Sequence, residues 1–297
     1  MILLTGASGF IGKHLLKKLI TEHGKKGVVA LTSKPLADCN YLLHNNYRFE
    51  TGFFHSKGYE NIETVIHAGA FTPKSGKEEN NFAQSNSNII NTQNLLNMLP
   101  KSVKKFIFLS TIDVYNNDLV ISEKSLEKPV SLYGQSKLYC EKMIESWGNQ
   151  NNILIQLLRV GHVYGPGEEE YLKIIPITIK KILSMEAIKI WGDGNELRSF
   201  IYISDLVSAI QKSIALKGNI GVTNLVGDNA ISINELVYKI DEISKRKNII
   251  EKVPNKLPGR DLVFNNSKMK KYLLNDFISL EKGLLLEFKY MLKIYEK

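Results

Sequence analysis

Tyr133 and Lys137 stand four residues apart in the run Tyr133-Gly134-Gln135-Ser136-Lys137, and on a helix that spacing puts a phenol and an ammonium on one face. A phenol with an ordinary pKa of about 10 is a weak base at neutral pH, and a nearby cation favours its ionised form. The pair therefore suits proton exchange with a hydroxyl or a carbonyl oxygen. Upstream, the apolar run 106–109 delivers Ser110 and Thr111 to its C-terminal end, where ligands bind in open α/β sheets. A hydroxyl there can orient the reacting oxygen. A third signal is Thr5-Gly6-Ala7-Ser8-Gly9-Phe10-Ile11-Gly12, which follows an apolar run and opens a helical pattern. Residues without a Cβ let backbone N–H groups and a helix start approach a pyrophosphate closely. Each feature alone also has an ordinary structural explanation: a partly buried aromatic, a solvated lysine, a cap, a plain strand-to-helix turn.

Positioning these groups requires strands that end where helices begin. Short apolar runs at 2–4, 28–31, 65–66, 106–109 and 153–158 read as buried parallel strands. Apolar residues at i, i+3, i+4 in 10–20, 88–98 and 132–144 read as helices between them. This βαβαβ alternation predicts an α/β fold: a Rossmann-type doubly wound parallel sheet. Beyond Gly161 the rhythm changes, with a Gly/Pro turn at 165–167, a helix near 173–183, and strands at 188–191 and 200–203. Helices then start near Ser204, Ser232 and Ser279, the first two serines suiting N-caps. The division expected is a dinucleotide-binding domain over 1–160, to which 187–215 returns, and a smaller α/β substrate-binding lobe over 161–297.

Composition narrows the class. At 297 residues, 43% hydrophobic and 23% charged, the chain can bury a sizeable core and is neither disordered nor fibrous. The net charge of +9 is spread over helical patterns (Lys17, Lys18, Lys180, Lys181, Lys270, Lys271), which reads as solvated faces and not as a nucleic-acid surface. Cys39 and Cys140 make neither a metal-ligand spacing nor a disulfide framework, so no metal site is expected and a reducing compartment fits. Neither a signal peptide nor an apolar span of membrane length is read, which makes the cytoplasm the expected location and no membrane partner expected.

Further motifs accompany the first three: VIHAGA at 65–70, NIINT at 88–92, FLSTIDVY at 108–115, LLRVGHVYGPG at 157–167, WGDGNELRSFIYISDL at 191–206 and LPGRD at 257–261. With them, nearly the whole chain resembles the extended short-chain dehydrogenase/reductases that modify nucleotide sugars, a family of 4-epimerases, 4,6-dehydratases and 4-keto reductases. The resemblance implies a nicotinamide dinucleotide cofactor, a nucleotide-diphosphate sugar substrate and a homodimer joined through the helices at 88–98 and 133–147. It implies a catalytic triad of Thr111, Tyr133 and Lys137, with Ser110 the alternative hydroxyl. Tyr133 would exchange a proton with the sugar oxygen, Lys137 would hold the nicotinamide ribose and depress the tyrosine pKa, and Thr111 would hydrogen-bond the reacting oxygen. The dinucleotide would meet Gly6, Ser8, Gly9, Phe10, Ile11 and Gly12, then Ala68, Gly69 and Ala70, and further Ser110, Tyr133, Lys137, Val160 and Val163. Asn88 would join the cofactor-binding residues and support the helix and a water-linked proton path. His162, Arg198 and Arg260 join Thr111 and Tyr133 on the substrate side, the arginines for the diphosphate.

Departures from the family's pattern refine the reading. Where members that prefer NAD often carry an acid at the end of the second strand, this chain reads Leu31, Thr32, Ser33, Lys34. Two hydroxyls and a lysine suit a 2′-phosphate, which favours NADP over NAD. Dehydratases carry Asp-Glu after the triad threonine, and here those positions are Ile112 and Asp113. His162 replaces a usual Asn and is not expected to be catalytic, and Arg260 matches its position loosely because the order is Pro258, Gly259, Arg260, Asp261. The function expected first is a 4-keto-sugar reductase, with a nucleotide-sugar 4-epimerase as the alternative. A 4,6-dehydratase and a non-catalytic NADP-binding scaffold stand behind both.

Overall fold

The computed structural model describes residues 1–116, 118–254 and 259–295. The first part of the chain alternates strand and helix: β1 (Ile2–Thr5), α1 (Phe10–His23), β2 (Val28–Thr32), β3 (Asn40–Leu43), α2 (Phe53–Ser56), β4 (Thr64–His67), α3 (Phe82–Met98), β5 (Lys105–Thr111), α4 (Leu132–Asn151) and β6 (Leu154–Val160). Shorter elements follow: β7 (His162–Tyr164), α5 (Ile174–Leu183), β8 (Ile188–Trp191), β9 (Leu197–Tyr202), α6 (Ile203–Ala215), β10 (Thr223–Leu225), β11 (Ala230–Ser232), α7 (Ile233–Ser244), β12 (Ile250–Val253), α8 (Ser267–Tyr272) and α9 (Leu280–Tyr295).

Seven strands form one parallel sheet in the order β10-β6-β5-β4-β1-β2-β3, a Rossmann-type doubly wound arrangement. Every residue of β1 and β2 is buried, because helices cover both faces and water meets neither. α1 and α6 pack together, and so do α3 and α4, with one apolar core on each side of the sheet. Of the segment 187–215, α6 lies on α1, whereas β8 pairs with β12 in a small sheet of its own. The strand that comes back to the large sheet is β10, beside β6. β7, β9 and β11 make a third sheet, in which His162 is registered with Phe200. No helix among the described residues is long and apolar enough to cross a membrane.

A side-chain cap sets one of the two helix starts expected at a serine. Ser232 accepts from the Glu235 N–H while the Glu235 carboxylate accepts from the Ser232 N–H, a capping box that starts α7. Ser204 does not cap α6: the helix begins one residue earlier at Ile203, and the Ser204 hydroxyl faces Asp205 instead.

α9 closes the structure by burying Glu287, whose two carboxyl oxygens have no hydrogen-bond partner among the described residues. Burial, then repulsion from Glu168 and Glu169, raises its pKa to about 9, and burial raises that of Glu168 to about 8. Unfolded, both groups release their protons near the ordinary value of 4.5, so between there and about 8 to 9 the native state binds more protons than the unfolded chain. Stability contributed by these groups is therefore lost as pH rises through that window. Glu287→Gln is expected to raise the melting temperature by several degrees at about pH 8 and to change it little at about pH 5. Thermal unfolding across pH checks this, and equal effects at both ends would refute it.

Candidate active site

The large sheet reverses its strand order between β1 and β4, and a crevice opens beyond the C-terminal ends of strands at such a point. A cleft of about 750 Å³ lies there. On one wall, Gly6 adopts a φ of 70°, and a Cβ on it would come within 2.6 Å of the Gly69 nitrogen. A Cβ on Gly12 would lie 2.0 Å from the Gly6 carbonyl oxygen, so only glycine permits this turn. α1 starts at Phe10 without a side-chain cap, which leaves the N–H groups of its first turn to an anion in the cleft. Ser8, Gly9, Phe10 and Ile11 line the same wall, with Ala68, Gly69 and Ala70 after β4. These residues fit the pyrophosphate of a dinucleotide.

β5 brings Ser110 and Thr111 to the cleft floor, opposite Val160 and near Val163 on the following strands. α4 enters beside them: Ser131 caps it by accepting from the Gly134 N–H, and a Cβ on Gly134 would be 2.4 Å from the Asp113 carbonyl oxygen. That close approach sets Tyr133, in the first helical turn, facing the hydroxyls of Thr111 and Thr72. Thr111 Oγ1 donates to Asp113 Oδ2 at 2.9 Å. Lys137, one turn on, donates from Nζ to the Leu109 carbonyl at 2.6 Å and lies 4.0 Å from the Phe108 ring centre. The Ser110 hydroxyl is buried with no partner among the described residues.

The expected lowering of the Tyr133 pKa by Lys137 is not what this geometry gives. Burial and the neighbouring Asp113 carboxylate hold the phenol well above its ordinary value. Burial also pushes Lys137 down to about 8, and its hydrogen bond goes to the strand carbonyl. A phenol held protonated in this way is set to give a proton to a carbonyl oxygen.

The loop 165–173 closes the other wall. His14 Nε2 meets the Pro166 carbonyl at 2.7 Å, Tyr171 packs on Phe10 at 6.2 Å, and the Leu172 N–H donates to the Lys74 carbonyl at 2.9 Å. An ion pair of 3.2 Å between Lys74 and Glu170 adds to this closure. Beyond it, His162 and Arg198 line the cleft. Burial, and then the charges of Lys173, Arg198 and Arg260, lower the His162 pKa to about 3, so the imidazole is neutral.

Several sequence-derived residues stand elsewhere. Thr32, Ser33 and Lys34 are not among the cleft-lining residues, and the Thr32 hydroxyl is engaged with the Lys34 backbone. Asn88 sits one layer behind the cleft, bonded to the Phe71 N–H and carbonyl and to Ser136 Oγ. The Arg260 side chain does not line the cleft, although its carbonyl accepts from Arg198 Nη1. Leu257 and Pro258 lie outside the described residues. Conversely, Glu79, Tyr171 and Lys173 line the cleft and were not singled out as site residues. They belong to loops brought there by tertiary contacts, such as the Tyr133 N–H on the Glu79 carbonyl, that no local pattern announces. Among the described residues, no group of three or more His, Cys, Asp or Glu could hold a metal ion.

Residues 2–224 match the model of the NAD-dependent epimerase/dehydratase family. The chain belongs to that family. Among its relatives, the family member of Bacillus subtilis called "uncharacterized UDP-glucose epimerase YtcB" is 30% identical over 99% of both chains. A dTDP-D-glucose 4,6-dehydratase of Dictyostelium discoideum is 31% identical over 82% of this chain, which spans 62% of that relative's length. The UDP-glucuronic acid 4-epimerase of Bacillus cereus, solved with UDP-glucuronic acid and NAD, is 28% identical with a TM-score of 0.84 over 99% of both chains. Like other members of the NAD-dependent epimerase/dehydratase family, the protein is an enzyme that works with a nicotinamide dinucleotide.

Proposed function

We propose that the protein is a nucleotide-sugar 4-epimerase that uses NAD. The observation that carries this reading is the closure of the cleft. The loop 165–173 is tied to both the glycine turn and the 72–75 segment, and inversion at one carbon requires that cofactor and ketone stay in place between two hydride transfers. NAD supplies the hydride acceptor and afterwards the donor. Tyr133 would take the proton of the sugar hydroxyl once the positive charge of bound NAD beside it had favoured its ionised form, and would return that proton to the ketone oxygen. Thr111, oriented by Asp113, holds that oxygen, and Lys137 holds the ribose side of the cofactor. Residues 1–160 serve the dinucleotide, residues 161–297 mainly the sugar nucleotide, and Arg198 meets the diphosphate. A homodimer through α3 and α4 in the cytoplasm completes the reading.

The 4-keto reductase is the second reading, supported by the exposed Lys34 at the end of β2, which suits a 2′-phosphate. It is weakened by the local use of the Thr32 hydroxyl. NMR of a nucleotide sugar incubated with the enzyme and only trace NAD distinguishes the two. Accumulation of the C4 epimer without net reduced cofactor is expected. Consumption of stoichiometric NADPH on a 4-keto sugar, with no epimer formed, would replace the epimerase by the reductase.

A further inference from the structure

His67 ends β4, is buried, and is not among the cleft-lining residues. Its ring packs on Phe106 and Phe108, with ring centres 5.9 and 5.6 Å away, and both of its nitrogens have a partner. Burial, and then the charges of Lys137 and His44, lower its pKa to about 3, so the ring carries a single N–H at neutral pH. The Thr92 hydroxyl donates to the Asn88 carbonyl at 2.7 Å, so toward His67 it can only accept. The ring proton therefore sits on Nε2, which donates to Thr92 Oγ1 at 3.1 Å. Nδ1 is left as an acceptor and takes the Thr5 hydroxyl at 2.7 Å. Thr5 Oγ1 in turn accepts from the Gly69 N–H at 2.9 Å.

Every donor in this chain points from the glycine wall toward the helix that bears Tyr133. Gly69 belongs to the wall, packed so closely on Gly6 that neither could carry a side chain there. At the other end, Asn88 donates from Nδ2 to Ser136 Oγ at 3.3 Å, and the Ser136 hydroxyl donates to the Tyr133 carbonyl at 2.8 Å. Thr5, His67, Thr92, Asn88 and Ser136 are all buried. A broken link therefore leaves a polar group shielded from bulk water without its partner, and the backbone on either side of it less firmly placed.

We propose that His67 is a positioning residue, which sets the glycine wall that holds the cofactor against the helix that presents Tyr133 and touches neither cofactor nor substrate. The inference rests on the reading of Tyr133 as the acid–base group of a nucleotide-sugar enzyme. Two amide side chains separate the two bonds of the ring. Asn places its Oδ1 where Nδ1 stands and keeps the bond from Thr5, whereas Gln reaches Thr92 with its Nε2 and gives up Thr5. His67→Gln is expected to raise the NAD dissociation constant ~10-fold, the effect of one buried hydrogen bond, and to leave kcat at saturating NAD within about threefold of wild type. His67→Asn is expected to do the reverse: NAD affinity within about threefold, and kcat lowered ~10-fold at an unchanged KM for the sugar nucleotide. Thr5→Val and Thr92→Val, which keep the side-chain volume, should reproduce the first and the second pattern, and they replace either amide variant that fails to fold. The measurements are NAD titration by fluorescence and turnover of UDP-glucose and UDP-glucuronate by NMR, well below each melting temperature. Variants that lose stability yet keep wild-type NAD affinity and kcat overturn the positioning role and leave His67 as packing. Equal losses of both parameters in both amide variants also overturn it, because the two bonds would then not act on separate walls. A wild type inactive on both probes tells against the epimerase alone. The NAD titration then decides for His67, and an unchanged affinity in His67→Gln and Thr5→Val overturns its role.

Discussion

Tyr133→Phe is expected to lower kcat by ~10²–10⁴-fold, the usual weight of one positioned acid–base group, while NAD affinity changes by less than about threefold. The phenol is buried, and its hydroxyl is the titratable group facing Thr111 at the end of β5. Phenylalanine keeps the ring, including its edge-to-face contact with Phe71 at 6.2 Å, so the helix start and the cleft wall persist. Only the proton path is removed. The measurement is turnover of the sugar nucleotide by NMR beside cofactor binding by fluorescence. If more than about a tenth of wild-type kcat survived, the proton would travel by another group, and Asp113, which already accepts from Thr111, would be the one to replace next.

The triad was legible because its spacing is local: a helix dictates that residues 133 and 137 share a face, and a strand that ends at 111 must present its last hydroxyls to the crevice. The same holds for the glycine turn, whose chain path leaves no room for a Cβ. Electrostatics were less legible. The i, i+4 spacing of Lys137 and Tyr133 predicted a lowered phenol pKa, yet burial and Asp113 outweigh the lysine, and neither burial depth nor the reach of Asp113 can be read from spacing. The same limit applies to Lys173 and Glu79.

Elements with a weak periodic signal were the ones missed. α3 starts at Phe82, six residues before the apolar pattern at 88, because the Asn81 side chain accepts from the Gln84 N–H and sustains a polar first turn. β10 has three buried residues, too few to show a period, and only its parallel register beside Leu158, Arg159 and Val160 makes it a strand of the large sheet. Edge strand β3 alternates irregularly between covered and open residues, so no clean strand signature exists there.

Arg159 was noticed only as a letter in a motif, yet it is fully buried on β6 and braces the elements that hold the triad. Its Nε donates to Glu141 Oε1 at 3.0 Å and its Nη2 to Glu141 Oε2 at 2.6 Å, tying β6 to α4. Glu127 accepts from the same Nη2, and the guanidinium lies 4.7 Å from the Tyr115 ring centre. A bidentate pair without solvent contact is worth little against an apolar pair of equal volume, but half of it is costly, because the remaining charge is buried alone. Arg159→Leu strands the Glu141 carboxylate, which is wholly buried, and is expected to cost about 3–5 kcal/mol, lowering the melting temperature by roughly 10 °C. Adding Glu141→Leu to that variant should restore most of the loss, since no charge is then left unpaired. Thermal and urea unfolding of the single and double variants measure the coupling. A double variant no more stable than Arg159→Leu would mean that the contact with Tyr115 and Glu127, and not the pair with α4, is what the arginine contributes.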